Sequence, residues 1–298
     1  MTVVPSFRPL AIAVAALLVS VYPTLLEAQG QTQGQAQGQG RPSFPPGLHD
    51  RTLPPGTPFD SEDFQPPGRE DDSWMMPGMA AATPVGFGAG FGSVWAGASY
   101  QPRARYADGE TGAAAVGFGL GDAERWVGLD VGIYSFGTVS SGFGERMAVD
   151  LHLHRRLSAL WGVAVGWESV AAPTSVTRDS RENLYVTGSR WLQLREDPDA
   201  PFSLAMLSLG VGTGRFQTET RFVEDTGGVG LFGSLGVRVL PPMTLIAEWT
   251  GQDLLLATSV TPLRNRRLAI TAGFAEVTGA AGNGARFTIG GSYAASFR

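Results

Sequence analysis

RMAVDLHLHRR, residues 146–156, alternates along most of its length: Met147, Val149, Leu151 and Leu153 take one side, and Arg146, Ala148, Asp150, His152 and His154 the other. Successive side chains of an extended chain point to opposite faces, so this stretch predicts a strand with one oily face and one charged face. The residues just before it repeat the pattern, with Val127, Leu129, Val131 and Ile133 set against Gly128, Asp130, Gly132 and Tyr134. Trp161, Val163, Val165 and Trp167 likewise face away from Gly162, Ala164, Gly166 and Glu168. Val229, Leu231, Leu235, Val237 and Val239 face away from Phe232, Ser234 and Arg238.

Outward from this core of strands, alternating segments separated by Gly, Asp, Asn, Ser and Pro run from residue 85 to the C-terminus. This texture predicts strands near 86–100, 111–121, 125–136, 145–155, 160–170, 184–194, 202–213, 227–240, 243–251, 253–260, 267–276 and 286–297. The sixth and tenth are the least regular, because Arg190 falls on an apolar face and Leu254 to Leu256 blur the alternation.

The second face decides between a soluble sandwich and a membrane barrel. It carries Asp130, Asp150, His152, His154, Arg146, Glu168, Arg238 and Glu248 among glycines and alanines, while the first is almost unbroken Val, Leu, Ile, Phe and Trp. That division matches lipid outside and a wet or salt-bridged lumen inside. Many strands run to about ten residues, enough to cross the hydrocarbon when tilted and longer than the ~5–6 usual in soluble sheets. Closure removes the edges that lipid would not tolerate. The fold class expected is therefore all-β, a closed antiparallel transmembrane β-barrel of about twelve strands over residues 85–298.

One assignment of sides groups 101–110, 137–144, 171–183, 214–226, the turn around Gly251–Gln252, and 277–285 as outer loops. Gly121 to Glu124, Arg156 to Ala159 and Pro241–Pro242 make tight turns opposite them. Long and short connections do not alternate strictly, which predicts that one or two strand assignments fail. Trp95, Trp161, Trp167, Trp249, Tyr293 and Phe297 are placed in interfacial belts.

Composition supports this. After residue 28 nothing approaches the ~20 unbroken apolar residues of a membrane-spanning helix, and mean hydropathy is +0.01. Charged residues are 16% and glycines number 41, against roughly 25% charged in ordinary soluble domains. Cysteine is absent, which excludes disulfides, thiolate metal sites, a cysteine nucleophile and a lipoprotein anchor. All 22 basic residues are arginine, and the net charge of -5 argues against a nucleic-acid partner.

Residues 1–28 read as a signal peptide, with Arg8, an apolar run from Leu10 to Val21 and a small-residue exit at Ala28. Residues 29–84 are rich in glutamine, glycine and then proline, a composition with too little apolar surface to offset ordering entropy. They are expected to form a disordered periplasmic linker or a plug inside the barrel. Within them Glu70, Asp71 and Asp72 precede Trp74, Met75 and Met76, a candidate docking motif for a periplasmic partner.

The last strand, with Phe287, Ile289, Gly291, Tyr293, Ala295 and Phe297 on one face, resembles the C-terminal assembly signal of bacterial outer-membrane β-barrel proteins. Arg298 departs from it, since the aromatic residue usually comes last. The resemblance implies location in the cell outer membrane, with its lipid and the barrel-assembly machinery as partners. EWTGQDL, SVTPLRN and GARFTIGGSY, between Ile246 and Tyr293, resemble the terminal strands of YjbH-type exopolysaccharide-associated outer-membrane proteins. That likeness implies a role beside polysaccharide export and brings no catalytic residue with it.

A hairpin turning near Ser140–Ser141 sets Asp130 opposite Asp150 or His152, and a turn near Leu157–Ser158 sets Arg146 opposite Glu168. A cluster of carboxylate and imidazole suits metal binding, general-base chemistry or gating by protonation. The simpler expectation is that lumen charges pair because unpaired ones are costly, with no metal, cofactor or catalytic residue. A structural or porin-like transport role follows. The alternatives are a barrel-embedded hydrolase, using Ser203, Ser208 or Ser234 beside a histidine, and a soluble secreted β-sandwich binding module. The glycines at 86–92 and at 210, 212 and 214 have no lysine or following helix to make a phosphate loop, and read as spacers facing the lumen.

Overall fold

A computed structural model describes residues 77–105, 109–137, 146–171, 182–197, 199–263, 268–282 and 284–297. The expected signal peptide, the expected linker up to residue 76 and the candidate docking motif lie outside the described residues.

Twelve strands form a closed barrel. In chain order they are β1 (Ser93–Gln101), β2 (Thr111–Gly121), β3 (Gly128–Gly137), β4 (Arg146–Arg156), β5 (Trp161–Ala171), β6 (Asn183–Gln193), β7 (Leu204–Gly212), β8 (Gly230–Leu240), β9 (Met243–Trp249), β10 (Leu254–Val260), β11 (Leu268–Ala275) and β12 (Arg286–Ser296). Each pairs antiparallel with the next, and β12 returns to β1 from Ser93↔Ser296 to Tyr100↔Ile289. A short helix, α1 (Glu219–Glu224), lies between β7 and β8. Among the described residues no helix is long and apolar enough to cross a membrane.

None of the twelve strand assignments fails. With β1 starting at what we call the near rim, the connections 102–110, 138–145, 172–182, 213–229, 250–253 and 276–285 share the far rim, the set expected as outer loops. Long and short do not alternate because 250–253 is a tight far-rim turn while 194–203 is a long near-rim one.

The outer wall is apolar. Val116, Ile133, Leu153, Val165, Val186, Leu209, Leu231 and Leu256 are all exposed there, and no second layer of described protein covers Val149, Leu151 and Leu153. Leu209 and Leu231 are 63% and 70% exposed, the reverse of what water favours over so wide an area. The irregular strands resolve simply. Arg190 points outward and lies over the Trp161 ring at 5.0 Å, its stem on the apolar wall. In β10, Leu255 turns inward against Ile246 and Ala257 while Leu256 faces out, so the alternation is intact.

Three expectations change. Residues 86–92 are not strand, and β1 begins at Ser93. Val239 is buried because the β8–β9 register shifts between Arg238 and Leu240, and Leu240 takes the outward position. Trp95 belongs to no interfacial belt: it is 4% exposed and points inward, against Ala89, Ala115, Ala294 and Tyr134. Trp161, Trp167, Trp249, Tyr293 and Phe297 do face outward. Trp161, Tyr293 and Phe297 sit toward the near rim, and Trp167 and Trp249 toward the far one.

Candidate functional site

Part of the lumen is filled by aromatic side chains. Trp95, Trp191, Tyr185 and Phe232 point inward from the wall, and Phe216 enters from the 213–229 connection. Tyr185, Phe216 and Phe232 contact one another, with Phe216 and Phe232 centroids 4.3 Å apart. The lumen glycines make room for these rings. Gly117, Gly166 and Gly210 pair across the sheet with Trp95, Tyr185 and Phe232, and a Cβ on any of them would lie 2.0–2.2 Å from that partner's ring. Each aromatic side chain lies over the glycine opposite it.

The lumen also holds the chain's own residues 77–92, buried throughout 77–80 and 83–90. From the near rim, Gly78 N donates to Ser259 Oγ at 2.8 Å, and Met79 is fully buried in a cluster with Trp191, Leu204 and Met206. The segment rises to an apex at Ala82–Thr83, then returns to the near rim, where Phe91 N donates to Gly121 O and Phe297 N to Gly92 O. Gly86 and Gly88 permit the descent: a Cβ would stand 2.2 Å from Gly162 O at the first and 2.2 Å from Asp130 Oδ2 at the second. Residues 77–84 thus lie inside the barrel, where the plug alternative puts them.

Proline and glycine give this segment few polar side chains, so its buried backbone must find partners on the wall. The polar lumen residues supply them. Glu248 accepts from Ala81 N at 2.5 Å, Ala82 N at 2.7 Å and Thr83 Oγ1 at 3.1 Å. Ser189 Oγ accepts from Gly86 N at 2.7 Å, and Thr187 Oγ1 donates to Pro84 O at 3.3 Å. Asp130 accepts from Ala89 N with both oxygens, each at 3.0 Å. His152 Nε2 stands 3.1 Å from Phe87 O, and its Nδ1 stands 2.7 Å from Tyr185 Oη.

The structure brings some expected site residues together and separates others. Asp130 pairs directly with His152, one of the two registers expected, and His154 Nδ1 lies 3.7 Å from Asp130 Oδ2. Arg146 is not a cross-strand partner of Glu168. The β4–β5 turn is centred later than Leu157–Ser158, so Leu151 faces Trp167, and β4–β5 pairing ends at Val149↔Ala171. A bulge between these two pairs places Ser169 at φ 57° and sends its N–H to Asp150 Oδ1 at 2.7 Å. Glu168 is instead held by both Nε and Nη2 of Arg215, each at 2.7 Å. Arg238 stays near the near rim, donating to Pro241 O at 3.1 Å. Ser208 bonds Ser189 at 2.7 Å, and His152 faces Tyr185 and Phe87 rather than a serine.

Charges not singled out in the sequence close the far rim. Arg215 also donates to Ala82 O at 3.1 Å, clamping the segment's apex. Arg105 pairs with Glu219 and Glu276, and Glu276 takes a two-pronged contact from Arg286 at 2.9 Å. Asp253 organises the neighbouring connection, accepting from Leu254 N, Thr278 N and Oγ1, Ala280 N and Ala281 N at 2.5–3.1 Å. Burial alone would push the Asp253 carboxyl up, but these hydrogen bonds, that of the Thr278 hydroxyl first, hold it below its ordinary 3.8. The ionised form therefore stabilises the loop at neutral pH, and the stabilisation disappears as pH falls through the depressed value. Asp253→Asn is expected to speed amide exchange at Thr278, Ala280 and Ala281 by roughly tenfold to a hundredfold at pH 7. Unchanged exchange at these amides would rule out that role.

No family model matches the chain, and no curated protein does. Among solved structures it is similar to Omp33. That protein is an outer membrane protein of Acinetobacter baumannii, 13% identical, with 70% of this chain and 98% of Omp33 covered at a TM-score of 0.36. Placement of this barrel in hydrocarbon follows instead from its own surface, an apolar wall around a polar and aromatic interior.

Proposed function

We propose that the chain is an outer-membrane β-barrel whose inserted segment, residues 77–92, is a resident plug holding the lumen closed to solutes. The observation that carries this is the use to which the polar lumen is put: Glu248, Ser189, Thr187 and Asp130 bind the segment's backbone. A pore would present such groups to solute. Any porin-like transport requires the segment to leave or shift. Lipid meets the outward belt, and the assembly machinery reads β12.

Polysaccharide export rests on the likeness of Ile246 to Tyr293 alone, and the plug makes it conditional on an opening event. A hydrolase reading has less support, because His152 faces Tyr185 and Phe87 and no nucleophile motif accompanies it. Membrane fractionation and planar bilayers test the proposal together. The intact protein is expected in the outer membrane, with heat-modifiable mobility and little conductance. Recovery from the soluble periplasm would overturn the membrane reading, and large steady conductance of the intact barrel would overturn the plug.

A further inference from the structure

Asp130 poses a problem that the plug does not solve. The carboxyl group is 3% exposed, and its close partners are one backbone N–H, that of Ala89, and the His154 ring at 3.7 Å. Among the described residues no arginine pairs with it. A buried carboxylate is expensive without a compensating cation, and the nearest side chains that could bind one are two imidazoles. His152 and His154 are each 2% exposed and stack with centroids 5.4 Å apart. One donor atom from each of Asp130, His152 and His154 lies within 4.8 Å of the others.

We propose that Asp130, His152 and His154 form a transition-metal site of the zinc class, buried against the inserted segment. Two imidazoles and a carboxylate are a donor set suited to such ions. Two donors on one tetrahedral zinc sit roughly 3.3 Å apart, close to the 3.7 Å between His154 Nδ1 and Asp130 Oδ2. Two glycines let the imidazoles and carboxylate come together. A Cβ at Gly128 would stand 2.4 Å from His154 Nε2, and one at Gly88 would meet both His154 Nδ1 and Asp130 Oδ2. His152 has an outer partner in Tyr185 Oη, the kind of contact that orients a ligating imidazole. Ligation through Nε2 displaces Phe87 O from that nitrogen and shifts the ring proton to Nδ1, which then donates to Tyr185 Oη. No net proton is released at this ring.

The three histidines of the chain are His49, His152 and His154, and cysteine is absent, so the test is clean in an untagged His49→Ala background. The barrel is refolded with cobalt, passed through gel filtration, and its visible spectrum and metal content are measured. A single retained equivalent with ligand-field bands is expected, lost in Asp130→Asn and His154→Ala. Tyr185→Phe keeps the ring over Gly166 and is expected to weaken zinc binding by ~10–100-fold in competition titrations. Absence of retained cobalt in the parent, or bands that survive His154→Ala, would overturn the site. A variant that fails to refold leaves the parent spectrum to decide. Conductance is a separate readout: a barrel that holds cobalt yet conducts freely would sink the plug and leave the metal site standing.

Discussion

Removal of residues 78–90 is expected to turn a nearly silent barrel into a channel, raising single-channel conductance by about an order of magnitude or more. Eight strands enclose only enough space for their own side chains, and sixteen or more leave an aqueous pore, so twelve strands stand where a modest insert decides the outcome. Here the insert contributes Met79, Val85 and Phe87 to the core against Leu160, Trp191, Leu204 and Met206. Without it the inward wall across that region mixes Trp191, Leu204 and Met206 with polar side chains, and Glu248, Ser189 and Asp130 become free to bind water. Trp95, Tyr185 and Phe232 remain and keep the bore narrow. Glu248→Ala is the gentler version, because it leaves Ala81 N, Ala82 N and Thr83 Oγ1 without their acceptor. Of these only Thr83 is buried, and its unpaired hydroxyl costs about 1–3 kcal/mol, which favours brief openings over permanent ones. A deletion variant that keeps heat-modifiable mobility yet stays as silent as its parent would show that the wall aromatics and the far-rim loops close the lumen without the segment.

The wall of this barrel was legible because period-two alternation is a local property. Each of Val163, Val165 and Trp167 reports its side from its immediate neighbours, and a one-residue error would have reversed the whole strand. The segment 77–92 was legible only in part, as the plug alternative for residues up to 84, for the opposite reason. Its glycines and prolines carry no periodicity, and its burial is decided by partners as remote as Ser259 and Glu248. One sign was present. Glu248 and Asp130 face inward with no arginine paired to them among the described residues, and each accepts from the backbone of the segment. The Asp130 and His152 pairing followed from hairpin geometry, while Arg146 and Glu168 missed each other because the turn at residues 157–160 is longer than the one inferred. Trp95 was assigned outward on residue type alone, although Gly117 directly across the sheet marks the inward space its ring fills.

Val165→Arg discriminates the membrane barrel from a soluble one by energy alone. Val165 lies midway along β5 and is 51% exposed, beside Val186 and Leu153 on the flanking strands, which are exposed as well. If this belt meets water, the substitution is a surface change worth within about 0.5 kcal/mol. Arginine at the midplane of a bilayer costs a lipid-facing strand about 2–4 kcal/mol, falling to ~0–1 near the interface. Urea titration of folding into lipid vesicles is therefore expected to show a loss of about 2–4 kcal/mol for Val165→Arg. Leu157→Arg, at a near-rim position already 59% exposed, is expected to lose no more than about 1 kcal/mol. The dependence on depth is the informative part, since a water-facing wall has no reason to distinguish two equally exposed sites. Equal and small losses at both positions would remove the hydrocarbon from this picture, and with it the reason for Leu209, Leu231 and Val165 to stand uncovered.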